Sequence, residues 1–339
     1  MNIVSHRCFA RSNASRGPRI TRLTMFAVVG LVVGVVFGGA SPMGHASDLR
    51  LATFSADVTI PLGHRCMGIL PTKASEVVDP LHVHGFVLLG GERPVVLAAF
   101  DWCEIRNDSF DAWRTTLAEA AGTTPERVLV SSLHQHDAPV IDGGAQRLLD
   151  EAGLPGELFD VRFHDDCLRR VAQAVRDSLA NARPVTHIGV GQAAVERVAS
   201  NRRVVHLDGR VNFDRYSSSG GHPFHSDADD GLIDPMLKTI SFWNNDEPLL
   251  AVSHYAVHPM SYYGRGGVSY DFVGMAREQR RRETGVPQIY VSGCSGDVTA
   301  GKYNDGSVDM RAELARRMQA AMAAAWQATQ RSPLTELAF

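Results

Sequence analysis

This sequence of 339 residues has few cysteines, a small net charge and no long basic run. The five cysteines show no Cys-x-x-Cys spacing, which excludes a cysteine-based metal site. The formal net charge is −3, and the first 46 residues contain five arginines but no acid, so the remaining chain carries about −8. An acidic chain without a basic stretch argues against a nucleic-acid partner. The composition, 44% hydrophobic and 21% charged, excludes collagen-like, coiled-coil and broadly disordered chains.

Only one apolar run, residues 25–40, approaches the length of a membrane-spanning helix, which needs about 20 residues. Arginines precede this run, and small residues at Gly44 and Ala46 suit a cleavage site before Ser47. We therefore predict a signal peptide over residues 1–46, an exported protein that is periplasmic or secreted, and no stable membrane span after cleavage. An uncleaved N-terminal anchor is the alternative.

Four cysteines follow the predicted signal peptide: Cys66, Cys103, Cys167 and Cys294. They allow three pairings, and their spacing does not select one. Export permits disulfides, while Cys103 and Cys167 lie in patterns typical of buried side chains. Bridges and free thiols are therefore equally expected.

Strand and helix patterns alternate along residues 47–339 without an internal repeat or a linker. Strand patterns fall at residues 51–59, 86–100, 127–133, 186–190, 238–243, 249–255 and 288–291, and helix patterns at 107–121, 157–181, from 271 onward and at 308–329. This alternation predicts one α/β domain, in which mixed β-sheets form layers and the helices pack on the outside.

Chemistry-bearing side chains follow three of these strands. His134 and His136 come directly after RVLVSSL, and residues two apart on an extended segment point to the same side. Neutral imidazole is a favoured zinc ligand, so this pair predicts a metal site, with exposed loop histidines as the alternative.

The second strand leads to His258, and Pro259 ends that strand. His254, deeper in the same strand, is better explained as a buried core histidine.

The third strand leads to GCSGDVT at residues 293–299, whose glycines allow backbone amides to approach a ligand and stabilise an oxyanion. A plain turn is the alternative for this segment.

In their order along the chain, these segments resemble those of the neutral/alkaline non-lysosomal ceramidases over nearly the whole of residues 47–339. The matching segments are ADVT at 56–59, DPL at 79–81, Asp101, HQHDAP at 134–139 (HTHSGP in the family), Asn201-Arg202, AVHP at 256–259, SYDFVG at 269–274 and GDVT at 296–299 (GDVS in the family). The resemblance implies the fold of the family's N-terminal catalytic domain.

The resemblance also implies roles for individual residues. His134 and His258 would be zinc ligands, and His136 an active-site histidine near the scissile bond. Arg202 would bind or polarise the substrate, and Thr299 stands in the place of the family's active-site serine. Asp271 lies in a matched segment and would either contact the metal or substrate or only brace the site.

The chain departs from the family at three points. Thr299 replaces serine, and Asp137 places an acid beside the predicted metal. The family's glutamate and tyrosine zinc ligands come from a region beyond the GDVS segment, whereas this chain ends about 40 residues after it. We therefore expect a chain shortened relative to the family, whose metal site uses other ligands or stays incomplete. Its final residues have the pattern of an incipient strand.

Local substitutes are available for the missing ligands. Asp101 follows the strand PVVLAAF and is a candidate third metal ligand. Tyr303 and Asn304 are candidate substrate contacts, although Asn-Asp-Gly is also strong turn chemistry. His222, His225 and Asp227 lie on a polar loop that either folds over the site or stays in solvent.

Together, the resemblance and the motifs predict an exported, zinc-dependent hydrolase of a small-molecule or lipid substrate. The expected reaction cleaves an N-acyl amide such as that of ceramide, giving a fatty acid and sphingosine. In the favoured mechanism zinc activates a water, His136 or a nearby acid moves the proton, and Arg202 and the 293–299 loop stabilise the oxyanion. A covalent route through Thr299, a metal hydrolase of another amide or ester, and a non-catalytic lipid- or sugar-binding domain are the alternatives.

Overall fold

A computed structural model describes residues 49–67, 70–220 and 222–339. The predicted signal peptide, residues 1–46, lies outside the described residues.

The strands are Arg50–Asp57 (β1), Glu76–Val77 (β2), His82–Leu89 (β3), Val95–Phe100 (β4), Glu104–Ile105 (β5), Val128–Ser132 (β6), Val140–Ile141 (β7), Arg183–Pro184 (β8), His187–Ala194 (β9), Ser200–Asn201 (β10), Arg203–Val205 (β11), Val211–Phe213 (β12), Met236–Asn244 (β13), Glu247–Tyr255 (β14), Gly267–Val268 (β15), Gln288–Ser292 (β16), Val298–Thr299 (β17) and Gln330–Pro333 (β18). The helices are Asn107–Ala121 (α1), Gly143–Glu151 (α2), Val161–Leu179 (α3), Pro223–Asp227 (α4), Asp271–Thr284 (α5) and Val308–Gln327 (α6).

Two five-stranded sheets repeat one topology. The first sheet has the order β6-β4-β3-β1-β8, and the second has the order β16-β14-β13-β9-β18. In both sheets the first pair of strands is parallel and the other three pairs are antiparallel. The chain therefore builds the same arrangement twice, in a first half (β1 to β8) and a second half (β9 to β18), although the sequence shows no repeat.

The two sheets face each other and carry helices on their outer faces. Between the sheets lies an apolar layer that includes Leu51 and Phe86 from the first half and Phe242 and Leu250 from the second. The helices α1 and α3 pack on the outer face of the first sheet, and α5 and α6 pack on that of the second. This confirms the predicted α/β class with layered mixed sheets and external helices.

Local sequence explains most of the boundaries. Helix α1 ends at Gly122, whose φ of 70° is a left-handed conformation that glycine adopts without steric cost. Helix α3 begins at Val161 rather than at residue 157, because the Asp160 side chain accepts hydrogen bonds from the backbone amides of Arg162 and Phe163. Near the end of the sequence, a strand is present only as β18, whereas residues 334–339, the apolar part of the expected strand, form none. Within the described residues, no helix is both long enough and apolar enough to cross a membrane.

All four cysteines of the described residues are free thiols. Cys66, Cys103 and Cys167 are buried, and Cys294 is exposed. Burial raises the pKa of the Cys66 thiol to about 12 and that of Cys167 to about 12. Of the two alternatives that the sequence left open, the structure has the free thiols.

A buried ion pair joins the two halves beside the parallel strands. Asp101, directly after β4, accepts two hydrogen bonds from Arg277 on α5, at 2.5 and 2.9 Å. The side chains of Asp101 and Arg277 are 0% and 1% exposed. Asp101 also accepts a hydrogen bond from the His82 amide, so its carboxylate is fully engaged in holding the fold.

Replacing Arg277 with methionine should destabilise the protein by about 3–5 kcal/mol, because it leaves the Asp101 charge buried without a partner. Urea unfolding of the variant and the parent would measure this difference. Arg331→Ala is the matched control, since Arg331 pairs with the exposed Asp246 and should leave the unfolding midpoint nearly unchanged. Equal losses in both variants would contradict a special role for the buried pair.

Candidate metal centre

The parallel pair in each sheet brings the predicted segments to one place. His134 follows β6, and its amide donates to the Trp102 carbonyl in the segment after β4, at 3.0 Å. This contact accompanies a left-handed backbone at His134, with a φ of 70°, which is uncommon for a residue other than glycine. His258 follows β14 and pairs with Thr299 of β17. The ends of β6 and β14 thus deliver one histidine segment from each half.

His134, His136 and His258 form a three-histidine cluster whose ligand nitrogens lie within 4.8 Å of one another. Nε2 of His136 lies 3.0 Å from Nε2 of His258, and the ring centres of His134 and His258 are 4.6 Å apart. The structure therefore brings together both residues predicted as metal ligands and the histidine predicted beside them.

Burial and the repulsion between neighbouring charges keep two of the three rings, His136 and His258, uncharged. Burial, together with the charges of His258, His134 and Arg202, lowers the pKa of His136 to about 3. Burial, with the charges of His134 and Arg202, lowers the pKa of His258 to about 4. The two rings are therefore neutral near pH 7, the form in which imidazole binds a metal.

Hydrogen bonds to backbone carbonyls orient two of the three rings. Nδ1 of His258 lies 3.3 Å from the Ser295 carbonyl, and Nδ1 of His134 lies 3.1 Å from the Cys103 carbonyl. A carbonyl only accepts, so Nδ1 of both rings carries a proton, and the uncharged His258 ring has its lone pair on Nε2. Among the described residues, Nδ1 of His136 is buried without a partner. Three imidazoles gathered in this way fit a zinc ion, for which three histidines are a known catalytic ligand set.

Arg202 and Thr299 lie beside this cluster. Strand β10 pairs with β17, so that Ser200 lies opposite Thr299 and Arg202 follows directly, with its amide 2.7 Å from the Asp297 carbonyl. The Arg202 side chain is buried and close enough to lower the pKa of His136 and His258. The Thr299 hydroxyl is also buried, and it has no hydrogen-bond partner in the part of the chain that the structure describes. Arg203, in contrast, is exposed and pairs with Asp297, as the alternation of an extended segment predicts.

The structure keeps two acidic residues of the sequence predictions away from the cluster. Asp101 does not join it, because both carboxylate oxygens are bound by Arg277. Asp137 was expected beside the metal, but its carboxylate accepts from the Gly264 amide at 2.9 Å. Burial raises the pKa of Asp137 to about 6. Asp137 thus fastens the loop after His258.

Asp271 braces the same loop. It begins α5 with a left-handed backbone, is buried, and accepts hydrogen bonds from the amides of Ser261 and Phe272. Arg311 lies 3.5 Å from its carboxylate and donates to the Tyr262 carbonyl. Of the two roles predicted for Asp271, these contacts are those of a bracing residue.

The predicted substrate contacts Asn304 and Tyr303 are engaged in structural hydrogen bonds. The buried amide of Asn304 donates to the carbonyls of Ser217 and Ser261, each at 2.6 Å. The Tyr303 hydroxyl donates to Asp230 at 2.6 Å. The residues of the polar loop also stay outside the cluster: the rings of His222 and His225 stack on each other, with centres 4.4 Å apart.

Two further side chains, which the sequence did not predict, border the cluster. The ring of Tyr263 packs edge-on against His136, with centres 4.9 Å apart. A carboxylate oxygen of Glu104 lies 3.5 Å from Nδ1 of His134. The only sequence signal for them is position: Glu104 comes four residues after the end of β4, and Tyr263 comes five residues after His258.

A second histidine pair, His82 and His84, lies with Asp101 in a group of suitable spacing. Burial and the charge of Arg277 lower the pKa of His84 to about 2. Glu278 lies 3.8 Å from His84 but is also bonded to Arg281. Because both nearby carboxylates are paired with arginines, this group is a poorer cation site than the three-histidine cluster.

Comparison with solved structures shows the same fold in two ceramidases. A neutral ceramidase from Pseudomonas aeruginosa matches with a TM-score of 0.61 and 18% identity, over 83% of this chain and 45% of its own. A ceramidase complexed with C2 matches with a TM-score of 0.61 and 17% identity, over 83% of this chain and 44% of its own. This chain therefore spans less than half the length of either neighbour. No family model and no curated protein matches the sequence.

These matches confirm the fold that the sequence resemblance implied. At such low identity they establish the fold alone, so the assignment of an activity depends on the residues of the site.

Asn304→Ala should lower the free energy of unfolding by at least about 2 kcal/mol, because each buried carbonyl left without a donor costs about 1–3 kcal/mol. Tyr303→Phe is the comparison, since it removes one hydrogen bond to the partly exposed Asp230 and should have a smaller effect. Urea unfolding would measure both. Unchanged stability of the Asn304 variant would instead favour the predicted substrate contact.

Proposed function

We propose that this chain is an exported, zinc-dependent hydrolase of the neutral ceramidase type that cleaves an N-acyl amide bond. One observation carries the proposal: three imidazoles, a buried arginine and a buried hydroxyl converge from both halves of the fold on one site. The fold shared with two ceramidases agrees with this reaction class. Export rests on the pattern of residues 1–46.

His134, His136 and His258 would hold the zinc ion through their inward nitrogens. A bound zinc ion polarises a carbonyl group and makes water a stronger acid at neutral pH. Assigning all three rings to the metal changes the role of His136 from proton carrier to ligand, because its Nε2 is as close as 3.0 Å to that of His258.

Arg202 would stabilise the negative charge that develops on the substrate carbonyl oxygen. Its guanidinium is largely buried, and burial lowers its pKa while leaving it charged near neutral pH. A positive charge in such a dry site acts strongly on a developing anion. The Thr299 hydroxyl is free to donate to the same substrate, since no group of the described fold accepts from it.

An apolar surface beside Arg202 favours a lipid substrate. The guanidinium lies 5.5 Å from the centre of the Phe213 ring, on the hairpin of β11 and β12. Phe213 is 49% exposed, and Val205 and Val211, paired on the same hairpin, are 68% and 56% exposed. An acyl chain would cover these side chains, so we propose ceramide as the substrate type, with a fatty acid and sphingosine as products.

The purified protein should carry about one zinc ion per chain, and His134→Ala or His258→Ala should each remove most of it. Metal analysis after gel filtration would measure this, together with hydrolysis of ceramide, other amides and esters. His82→Ala is the control and should retain zinc, because His82 lies in the other histidine group. Full zinc content in both cluster variants would refute the site, and a metal-free, inactive parent would favour the non-catalytic binding domain.

Arg202→Ala should reduce kcat/KM by a factor that corresponds to about 2.7–4 kcal/mol of transition-state stabilisation. Arg203→Ala should have little effect, because Arg203 is exposed and pairs with Asp297. Both variants should retain zinc, since a guanidinium is not a ligand. Steady-state kinetics and metal content would test this, and equal losses of activity would show that Arg202 has no special place in the site.

A further inference from the structure

Glu104 lies next to one of the three imidazoles. It lies on β5, which pairs in parallel with β7, and its amide donates to the Pro139 carbonyl at 3.3 Å. One carboxylate oxygen forms an ion pair with the partly exposed Arg106. The other lies 3.5 Å from Nδ1 of His134. The pairing of β5 with β7 therefore places this carboxylate on the outer side of His134.

The surroundings of the three imidazoles differ in charge. Nδ1 of His258 faces only the uncharged Ser295 carbonyl, and Nδ1 of His136 has no partner. Nδ1 of His134 faces the Cys103 carbonyl at 3.1 Å and also the Glu104 carboxylate. Among the described residues, His134 is thus the one ring of the cluster whose outer nitrogen faces a carboxylate, through the oxygen of Glu104 that does not pair with Arg106.

We propose that Glu104 is a positioning residue, which holds the proton on Nδ1 of His134 and strengthens its Nε2 as a metal ligand. A carboxylate behind the outer N–H of a histidine ligand fixes the ring and raises the basicity of the inward nitrogen. The Cys103 carbonyl already sets the direction of the N–H, and the carboxylate adds charge. The inference rests on the proposed metal centre for its consequence, but the contact itself exists without a metal.

Water screens the electrostatic interaction between Glu104 and His134 only in part. The side chain of Glu104 is 21% exposed and that of His134 is 33% exposed. Both residues lie in the first half, on segments that meet through the contact of the His134 amide with the Trp102 carbonyl. The pair therefore belongs entirely to the first half, whereas His258 comes from the second half.

The test compares Glu104→Ala and Glu104→Gln with the parent in zinc competition against a chromophoric chelator. Loss of a group behind a metal-binding histidine typically weakens metal affinity by 10–100-fold, and we expect a loss of this size in Glu104→Ala. Glu104→Gln keeps an acceptor oxygen without the charge and should fall between the two. Glu119→Ala, on the exposed face of α1, is the matched control and should bind zinc like the parent.

A second measurement needs no metal. In metal-free protein with ¹⁵N-labelled histidine, the Nδ1–H proton of His134, assigned with a His134→Gln variant, should resonate downfield in the parent and move upfield in Glu104→Ala. An unchanged resonance and unchanged zinc affinity in Glu104→Ala would overturn the proposal while leaving the metal centre intact. If the parent binds no zinc, the metal centre fails, and the resonance alone decides whether Glu104 polarises His134.

Discussion

The buried pair of Asp101 and Arg277 is the interaction on which the site depends. Asp101 is bound to the His82 amide, and its own backbone carbonyl accepts from the buried side chain of Gln135, between the two histidines of the first half. Arg277 lies on α5, the helix that directly follows the loop carrying Tyr263. A single ion pair thus holds the histidine segment of one half against the helix of the other, in a place where a lost partner is costly.

The sequence alone was sufficient to predict the layers of the fold, and it predicted that His134 and His258 lie together. These two histidines could be predicted because each follows an apolar strand, whereas Thr299 was assigned through the resemblance to the family. Asp101 has the same kind of position, but its actual partner lies 176 residues away on a helix. Glu104 was missed for the same reason. Its position after β4 indicates no function until the backbone shows His134 lying opposite.

One departure from the ceramidase pattern has a structural role. Asp137, where the family has serine, binds the Gly264 amide and so fixes the loop next to Tyr263. Arg311 bonds to Ser261, Ser269 and the Tyr262 carbonyl, which secures the other end of that loop. The loop that carries Tyr263 beside His136 is therefore held in place by contacts within this chain, which spans less than half the length of its structural neighbours.

The repeated topology of the two sheets has a consequence for folding. Two halves with the same strand order would be expected to form as separate units, one after the other. Asp101 opposes this, because its charge becomes buried in the first half while its counter-charge is supplied by the second. The buried charge of Asp101 is therefore compensated only after α5 has packed against the first half. We expect the two halves to fold and unfold together as one cooperative unit.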